Sequence, residues 1–132
     1  MSLRWLDSHC HLDAPEFDLD RKAVMQNAQL QGVAWCVMPA VQAKDFLSLQ
    51  KLAQEFHQPY ALGIHPLYVP QAQEQDLDFL AQCIELALAK DDQGLRSDAR
   101  LVAVGEIGLD FLSLRCVNQS CERSKNSSTT PN

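Results

Sequence analysis

The chain has 132 residues, of which 46% are apolar and 21% are charged. This length is enough for one ordinary domain with its own core, and the composition is that of a globular protein rather than a disordered or fibrous one. The formal net charge of −6 argues against a large basic surface that holds nucleic acid. It leaves open an enzyme that grips one phosphate through a metal ion.

The termini and the cysteines indicate the compartment. The first dozen residues contain Arg4, Asp7 and two histidines, so they lack the apolar core of a signal peptide. The longest apolar run, 33–41, is interrupted by Pro39 and is too short to span a bilayer. The five cysteines are an odd number and are scattered along the chain, which favours reduced thiols over a disulfide framework. We therefore expect a cytoplasmic protein without a membrane partner.

The chain opens on a short apolar segment, residues 3–6, which predicts a buried strand followed by a polar cluster. Because successive side chains of a strand point to opposite faces, we expect Asp7, His9 and His11 on one face and Cys10 on the other. Two imidazoles and a carboxylate suit a divalent cation such as zinc, manganese or iron. The alternative is that the histidines are ordinary polar residues where a strand meets a loop.

Three segments have the apolar periodicity of amphipathic helices. The first covers about residues 19–31, begins at Asp18 or Asp20 and ends before Gly32, which suits a helix C-terminus. The second covers 43–57, and the third follows a polar loop. The residues expected to face the core are Leu19, Ala23, Ala28 and Leu30, then Phe46, Leu49, Leu52, Ala53 and Phe56, then Leu77, Leu80, Ala81, Ile84 and Leu88.

Four apolar segments alternate with these helices and predict buried strands. They cover residues 3–6, 33–38, 60–64 and 101–104, which gives the order β-α-β-α-β-α-β. Such an alternation predicts a parallel sheet with helices outside it. The chemistry of such folds gathers at the carboxyl ends of the strands.

Ionisable residues follow three of the four predicted strands. His9 and His11 follow the first strand, His65 follows the third and Glu106 follows the fourth. A carboxylate beside two imidazoles can share or bridge metal ions, and paired ions can activate water. The alternative for Glu106 is a buried acid whose oxygens accept hydrogen bonds from backbone amides.

The remaining candidate residues are expected to contact the substrate or to orient the metal ligands. His65 precedes Pro66, which favours an extended conformation that directs the imidazole across the mouth of the sheet. It would be either a third nitrogen ligand or a donor to a substrate phosphate or carboxylate, and we prefer the second role because an intervening strand separates it from the first. Asp7 and Asp110 are expected to orient an imidazole or a backbone amide.

With these residues, the chain resembles the TatD-type deoxyribonuclease family of metal-dependent hydrolases. The resemblance rests on three motifs in the family's order: Asp-Ser-His-Cys-His-Leu at 7–12, Gly-Ile-His-Pro at 63–66 and Val-Gly-Glu-Ile-Gly-Leu-Asp at 104–110. It covers roughly residues 3–112. It implies an α/β fold that is the first half of a TIM (β/α)₈ barrel, with about four parallel strands and three helices, followed by an irregular tail.

The resemblance also implies an activity and roles for the site residues. The activity is hydrolysis of phosphodiester bonds by metal-activated water, on DNA or a small phosphoester. By that likeness His9 and His11 bind one ion and Glu106 bridges a pair of divalent cations, with Mg²⁺, Mn²⁺ or Zn²⁺ as candidates. Glu106 and His65 are the predicted catalytic residues. The acidic net charge predicts no stable complex with nucleic acid.

The likeness ends after residue 112. A complete barrel takes about 250 residues and eight strands, whereas four strands are predicted here and no histidine follows His65. We predict a partial hydrolase domain over 1–112 and a disordered tail outside the family over 113–132, which is rich in Ser, Thr and Asn. We expect a truncated or frame-shifted product with impaired activity, whose exposed half-barrel edges favour self-association.

Two other functions stay open at this point. The first is a metal-dependent amide or ester hydrolase on the same kind of barrel, because a His-x-His sequence after the first strand also suits that chemistry. The second is an inactive fragment without enzymatic activity. The inactive fragment would be recognised by a failure to bind metal together with a defined dimer in solution.

Overall fold

A computed structural model describes residues 4–108 of the chain. In that range five strands and three α-helices follow one another along the chain. The strands are β1 (Trp5–Asp7), β2 (Val33–Cys36), β3 (Met38–Pro39), β4 (Tyr60–Leu62) and β5 (Leu101–Val104), and the helices are α1 (Arg21–Leu30), α2 (Phe46–Phe56) and α3 (Glu74–Leu88). No helix between residues 4 and 108 is both long enough and apolar enough to cross a bilayer.

The named strands pair in parallel, and the two strands of each pair are consecutive in the chain. β1 pairs with β2, β3 pairs with β4, and β4 pairs with β5. The predicted second strand divides at Val37, whose N–H donates to the Asp7 carbonyl at 2.8 Å. The part before Val37 joins β1 and the part after it joins β4. Consecutive parallel strands with helices between them are the arrangement that the sequence predicts.

Within residues 4–108, one hydrophobic core lies between the strands and the helices. Its largest fully buried side chains are Tyr60, Phe46, Met38, Leu49 and Leu62. All three residues of β4 are buried, as predicted, because β4 has a strand on each side. The predicted core face of α2 is confirmed: Phe46, Leu49 and Ala53 are buried, and Leu52 and Phe56 pack partly buried against them.

Two polar side chains inside the core have their own partners. The Tyr60 hydroxyl donates to the Asp98 carboxylate at 3.1 Å and accepts from Gln50 at 3.3 Å. Burial raises the pKa of Tyr60 to about 12, and the charge on Asp98 adds to this effect. Gln58 is 2% exposed, and its Oε1 accepts the amide N–H of Cys36 at 2.9 Å. Gln58 therefore completes the hydrogen bonding at the end of β2.

The predicted core face of α1 is wrong in large part. Leu19 lies before the helix and is 102% exposed, and Leu30 is 81% exposed. The helix begins at Arg21, and the face that packs on the core carries Met25, which is buried, and Val24, which is partly buried. Leu19 could not join a helical stripe because the chain at that position is still a turn. The predicted helix end before Gly32 is confirmed, with Gly32 at φ 91°.

The core face of α3 is rotated from the predicted one. Leu80 and Ile84 lie partly buried against the core as expected, but Leu77 is 59% exposed. The fully buried residues are Cys83 and Ala87. The Phe79 ring stacks on Phe46 at a centroid distance of 5.8 Å, so Phe79 also lies on the face that packs against the core.

The expectation that the first and fourth predicted strands are buried is wrong for the described residues. Five large apolar side chains on β1, β2 and β5 are at least half exposed: Trp5, Leu6, Trp35, Val102 and Val104. We call these the uncovered strand residues. Between residues 4 and 108, the Arg4 guanidinium lies over the Trp35 ring, 5.9 Å from its centroid, but all five side chains remain at least half exposed. β1 and β5 each pair with another described strand on one side only.

Candidate metal centre

The loop after β1 carries both candidate histidines. β1 ends at Asp7, whose Oδ1 accepts the backbone N–H of His9 at 3.1 Å. The backbone N–H of Cys10 then donates to the Val37 carbonyl at 2.9 Å, which ties the loop to the chain beyond β2. The rings of His9 and His11 meet edge to face with their centroids 4.9 Å apart, and their Nε2 atoms are 3.1 Å apart. The two imidazoles therefore present the same nitrogen to one point.

Glu106 brings a carboxylate to this point from the other end of the described chain. It follows β5, where the N–H of Gly105 donates to the Leu62 carbonyl at 2.9 Å and continues the pairing with β4. Oε1 of Glu106 lies 2.5 Å from His9 Nε2 and 3.6 Å from His11 Nε2. The alternative of a buried acid that is satisfied by backbone amides does not describe these contacts, because the carboxylate faces imidazoles.

These three side chains fit a divalent cation. One ligand atom of each of His9, His11 and Glu106 lies within 4.8 Å of the others. Ligands about 2.1 Å from a tetrahedral ion are roughly 3.4 Å apart, so the set can close around an ion through movements of about 1 Å or less. Two nitrogens and one oxygen suit zinc, manganese or iron. The two imidazoles are 54% and 40% exposed, so the point is open to solvent.

His65 lies at the edge of this group. Its Nε2 is 3.7 Å from Oε2 of Glu106, and its Nδ1 accepts the backbone N–H of Leu67 at 3.1 Å. A neutral imidazole that accepts at Nδ1 carries its proton on Nε2. His65 therefore directs an N–H donor toward the side of Glu106 that His9 and His11 do not contact.

Of the two acids expected to orient the site, the structure describes Asp7 and does not describe Asp110. Asp7 holds the backbone amide of His9, as described above, and its carboxylate lies within 4.8 Å of the thiols of Cys10 and Cys36. The expectation that Asp7 and Cys10 face opposite sides is wrong, because strand geometry ends at Asp7 and the alternation of faces does not continue. Asp110 lies outside the described residues.

Arg21 supports the histidine loop and was missed by the sequence analysis. Its guanidinium donates to the carbonyls of Leu12 at 2.6 Å, Asp13 at 3.1 Å and Ala14 at 3.0 Å, and to the Asp18 carboxylate at 2.7 Å. These bonds fix the backbone immediately after His11. Three of the four partners are main-chain carbonyls, which every residue type has, so no pattern in the sequence marks the contact with this loop.

Asp13 was also missed, although it lies within the histidine loop. Its Oδ1 is 3.8 Å from His11 Nδ1, too long for a hydrogen bond, and has no hydrogen-bond partner among the described residues. Burial raises the pKa of the Asp13 carboxyl. A small rotation of the His11 ring would let Asp13 accept its Nδ1–H, the contact by which carboxylates orient metal-binding histidines.

A cleft of about 650 Å³ begins at His11 and runs past α2 to Tyr68. Its charged lining residues are the acids Asp13, Glu16, Asp18 and Asp45 and the cations Arg21 and Lys44. Carboxylates outnumber cations along this wall. An anionic substrate in the cleft would therefore be repelled unless a bound cation offsets the negative charge.

The sequence profile of the family described as TatD related DNase matches residues 6–128. The chain belongs to this family. It is 38% identical over 112 residues to the uncharacterized metal-dependent hydrolase YjjV of Escherichia coli K12, an alignment that covers 84% of this chain and 39% of YjjV. It is 33% identical over 114 residues to the deoxyribonuclease TATDN3 of Homo sapiens, with 80% of this chain and 38% of TATDN3 covered.

The fold matches a solved member of the same family. The crystal structure of YjjV, a TatD homolog from Escherichia coli K12, superposes with a TM-score of 0.70 at 37% sequence identity and covers 82% of this chain and 38% of YjjV. The predicted family and the predicted partial barrel are thus confirmed. The chain spans 38–39% of the length of these two relatives. The matched range runs past residue 112, so the boundary predicted there stays a prediction, and 113–132 lie outside the described residues.

Proposed function

We propose that this chain is a metal-dependent hydrolase that cleaves phosphodiester bonds in DNA or in small phosphoesters. The observation that carries the proposal is the convergence of His9, His11 and Glu106 within 4.8 Å. These side chains come from the ends of β1 and β5, where parallel α/β folds place their chemistry. The names of the relatives agree, since YjjV is called a metal-dependent hydrolase and TATDN3 a deoxyribonuclease.

His9, His11 and Glu106 would hold the cation, and Mg²⁺, Mn²⁺ and Zn²⁺ are the candidates. When bound, a divalent cation supplies a Lewis acid for a phosphoryl oxygen and lowers the pKa of water. Glu106 faces His9 through Oε1 and His65 through Oε2, so Oε2 would be available as a ligand for a second cation. His65 would donate its Nε2–H to a nonbridging oxygen of the substrate, which makes it and Glu106 the proposed catalytic residues.

The substrate would be held weakly. The acidic wall of the cleft and the net charge of −6 disfavour a long polyanion. We therefore propose action on exposed ends of DNA or on small phosphoesters, without a stable nucleic-acid complex. Because the cation would have three protein ligands among the described residues and partly exposed surroundings, we expect turnover below that of the longer relatives. A cytoplasmic location and self-association through the uncovered strand residues remain part of the proposal.

Metal binding is the direct test. The purified chain is dialysed against Mn²⁺ or Zn²⁺, and the bound metal is measured by mass spectrometry, beside His9→Ala, Glu106→Gln and the control His57→Ala. His57 is the exposed C-cap of α2 and lies outside the site. We expect His9→Ala and Glu106→Gln to weaken metal affinity by about 10- to 100-fold and His57→Ala to leave it unchanged. Equal metal content in His9→Ala and His57→Ala would remove His9 from the site.

The reaction is tested separately, with the metal-loaded chain. A DNA duplex with free ends, an activated phosphodiester and a cyclic amide are compared as substrates. We expect turnover of the phosphodiesters that depends on Glu106 and is reduced in His65→Ala. Turnover of the amide alone would favour the amide or ester hydrolase instead, and no turnover with metal bound would favour the inactive fragment.

A further inference from the structure

A second group of metal-binding side chains lies at the end of β2. Cys36 is the last residue of this strand, is 5% exposed and pairs with Asp7, the last residue of β1. Cys10 is held beside them because its backbone N–H bonds to Val37, the residue after Cys36. One ligand atom of each of Asp7, Cys10 and Cys36 lies within 4.8 Å of the others. Two parallel strand ends and one loop thus meet at a cluster of two thiols and a carboxylate.

We propose that Asp7, Cys10 and Cys36 form a binding site for a thiophilic divalent cation such as Zn²⁺ or Cd²⁺, separate from the set formed by the histidines. Thiolate sulfur is a soft ligand that selects zinc and cadmium over magnesium and manganese. The histidine set, with two nitrogens and one oxygen, accepts harder ions. The two groups would therefore sort cations by ligand type, although the same loop contributes to both.

The geometry suits a four-coordinate ion. Ligands about 2.3 Å from a tetrahedral ion lie roughly 3.8 Å apart, so the observed spacing of up to 4.8 Å needs a contraction of about 1 Å. Asp7 is exposed and Cys10 is half-buried, whereas Cys36 is buried. An ion would thus enter from the side of Asp7 and meet Cys36 last. Three protein ligands leave the fourth position to water.

The surroundings of the thiols explain which ions could bind. Cys36 is buried and Cys10 is half-buried, and both thiols lie beside the Asp7 carboxylate. A bound cation must displace the thiol protons, so its apparent affinity at neutral pH is lower than for thiolates that are already ionised. Ions that bind sulfur weakly, such as Mg²⁺ and Ca²⁺, would not achieve this.

The test uses the full chain, reduced beforehand and titrated with Cd²⁺ alone. Binding to thiolates produces a ligand-to-metal charge-transfer absorption in the ultraviolet, which imidazole and carboxylate ligands do not give. We expect a saturable absorption in the natural chain and its loss in both Cys10→Ser and Cys36→Ser. Asp7→Asn should keep part of the absorption with an affinity about tenfold lower or more. Circular dichroism checks the fold of each variant, and Cys10→Ser, in the half-buried loop, serves if Cys36→Ser fails to fold.

Two controls separate this proposal from other thiols and from the histidine set. Cys83 is buried on α3 and is not part of the cluster, so Cys83→Ser is the matched control for Cys36→Ser and should keep the absorption. The double variant Cys116→Ser/Cys121→Ser, which removes the two cysteines beyond residue 108, should also keep it. The double variant His9→Ala/His11→Ala should also keep it, even if the proposed hydrolase site is lost. No absorption in the natural chain, or an absorption that survives both Cys10→Ser and Cys36→Ser, would overturn the proposal.

Discussion

Gly63, directly after β4, lies against the backbone that carries Glu106. A Cβ at Gly63 would lie 2.6 Å from the carbonyl carbon of Gly105, 2.7 Å from its oxygen and 2.9 Å from the nitrogen of Glu106. Since ordinary contact begins at 3.4 Å, Gly63→Ala requires these segments to separate by about 0.8 Å. The obstructing atoms all belong to the backbone, so no side chain can rotate away. The displacement therefore passes to Glu106 and moves its carboxylate relative to the histidines.

We expect Gly63→Ala to lower the free energy of unfolding by about 1–3 kcal/mol. We also expect it to lower the turnover of a phosphodiester by up to about 100-fold, because a misplacement of the Glu106 carboxylate by about 1 Å can cause a loss of that size. Calorimetric titration with Mn²⁺ measures the metal affinity, and urea denaturation measures stability. The matched control is Gly105→Ala, because a Cβ there meets no atom within 4 Å. If Gly63→Ala had the same metal affinity and turnover as the unsubstituted chain, the reasoning that this glycine positions Glu106 would be refuted.

Three further outcomes follow from the fold. The pKa of Tyr60 is about 12 in the folded chain, against 10.0 for an ordinary tyrosine. Its contribution to the free energy of unfolding should therefore be fully present below pH 10, and up to about 3 kcal/mol should be lost as the pH rises to 12. Urea denaturation across this pH range should show a smaller loss for Tyr60→Phe. Gln58→Leu leaves the last amide of β2 without its acceptor and should cost about 1–3 kcal/mol by the same assay, whereas exposed Gln54→Leu should not. Sedimentation velocity should show self-association that increases with protein concentration. Trp35→Glu should weaken this association, whereas the control Leu30→Glu on α1 should not. A monomer at every concentration would contradict the role given to the uncovered strand residues.

The sequence predicts the order of elements well because each depends on a local pattern. In α2, residues 46–56 carry apolar side chains at helical spacing, and the structure buries that face. The failures occur at the ends of elements and where packing between distant segments decides burial. Leu19 has the right residue type for a helical stripe but lies before the first turn of α1. Strand burial fails for a related reason, since an apolar run such as 101–104 does not reveal whether anything covers its second face.

The candidate site could be predicted as a set of residues but not as a geometry. The rule that parallel strands gather chemistry at their carboxyl ends selects His9, His11 and Glu106, and the structure brings these three together. The rule does not predict how the loops that carry these residues run from one strand end to the next. The positions of Asp7 and Cys10 depend on where β1 ends, and β1 ends at Asp7, four residues before His11, to which the alternation was extended. Arg21 holds the loop after His11 through three backbone carbonyls, and no sequence pattern marks these contacts.

The distance between His9 and Glu106 depends on how the strands curve. In a flat sheet, the first and last of four adjacent strands are separated by three spacings of about 4.8 Å, roughly 14 Å, yet His9 Nε2 lies 2.5 Å from Oε1 of Glu106. Long side chains cover part of that gap, and the rest requires the strand ends to bend toward one another. At Val37 the second predicted strand passes from pairing with β1 to pairing with β4, so the described strands form a two-stranded and a three-stranded sheet rather than one flat sheet. The apolar run 33–38 does not predict this break, so a flat arrangement inferred from the sequence places the imidazoles too far from the carboxylate.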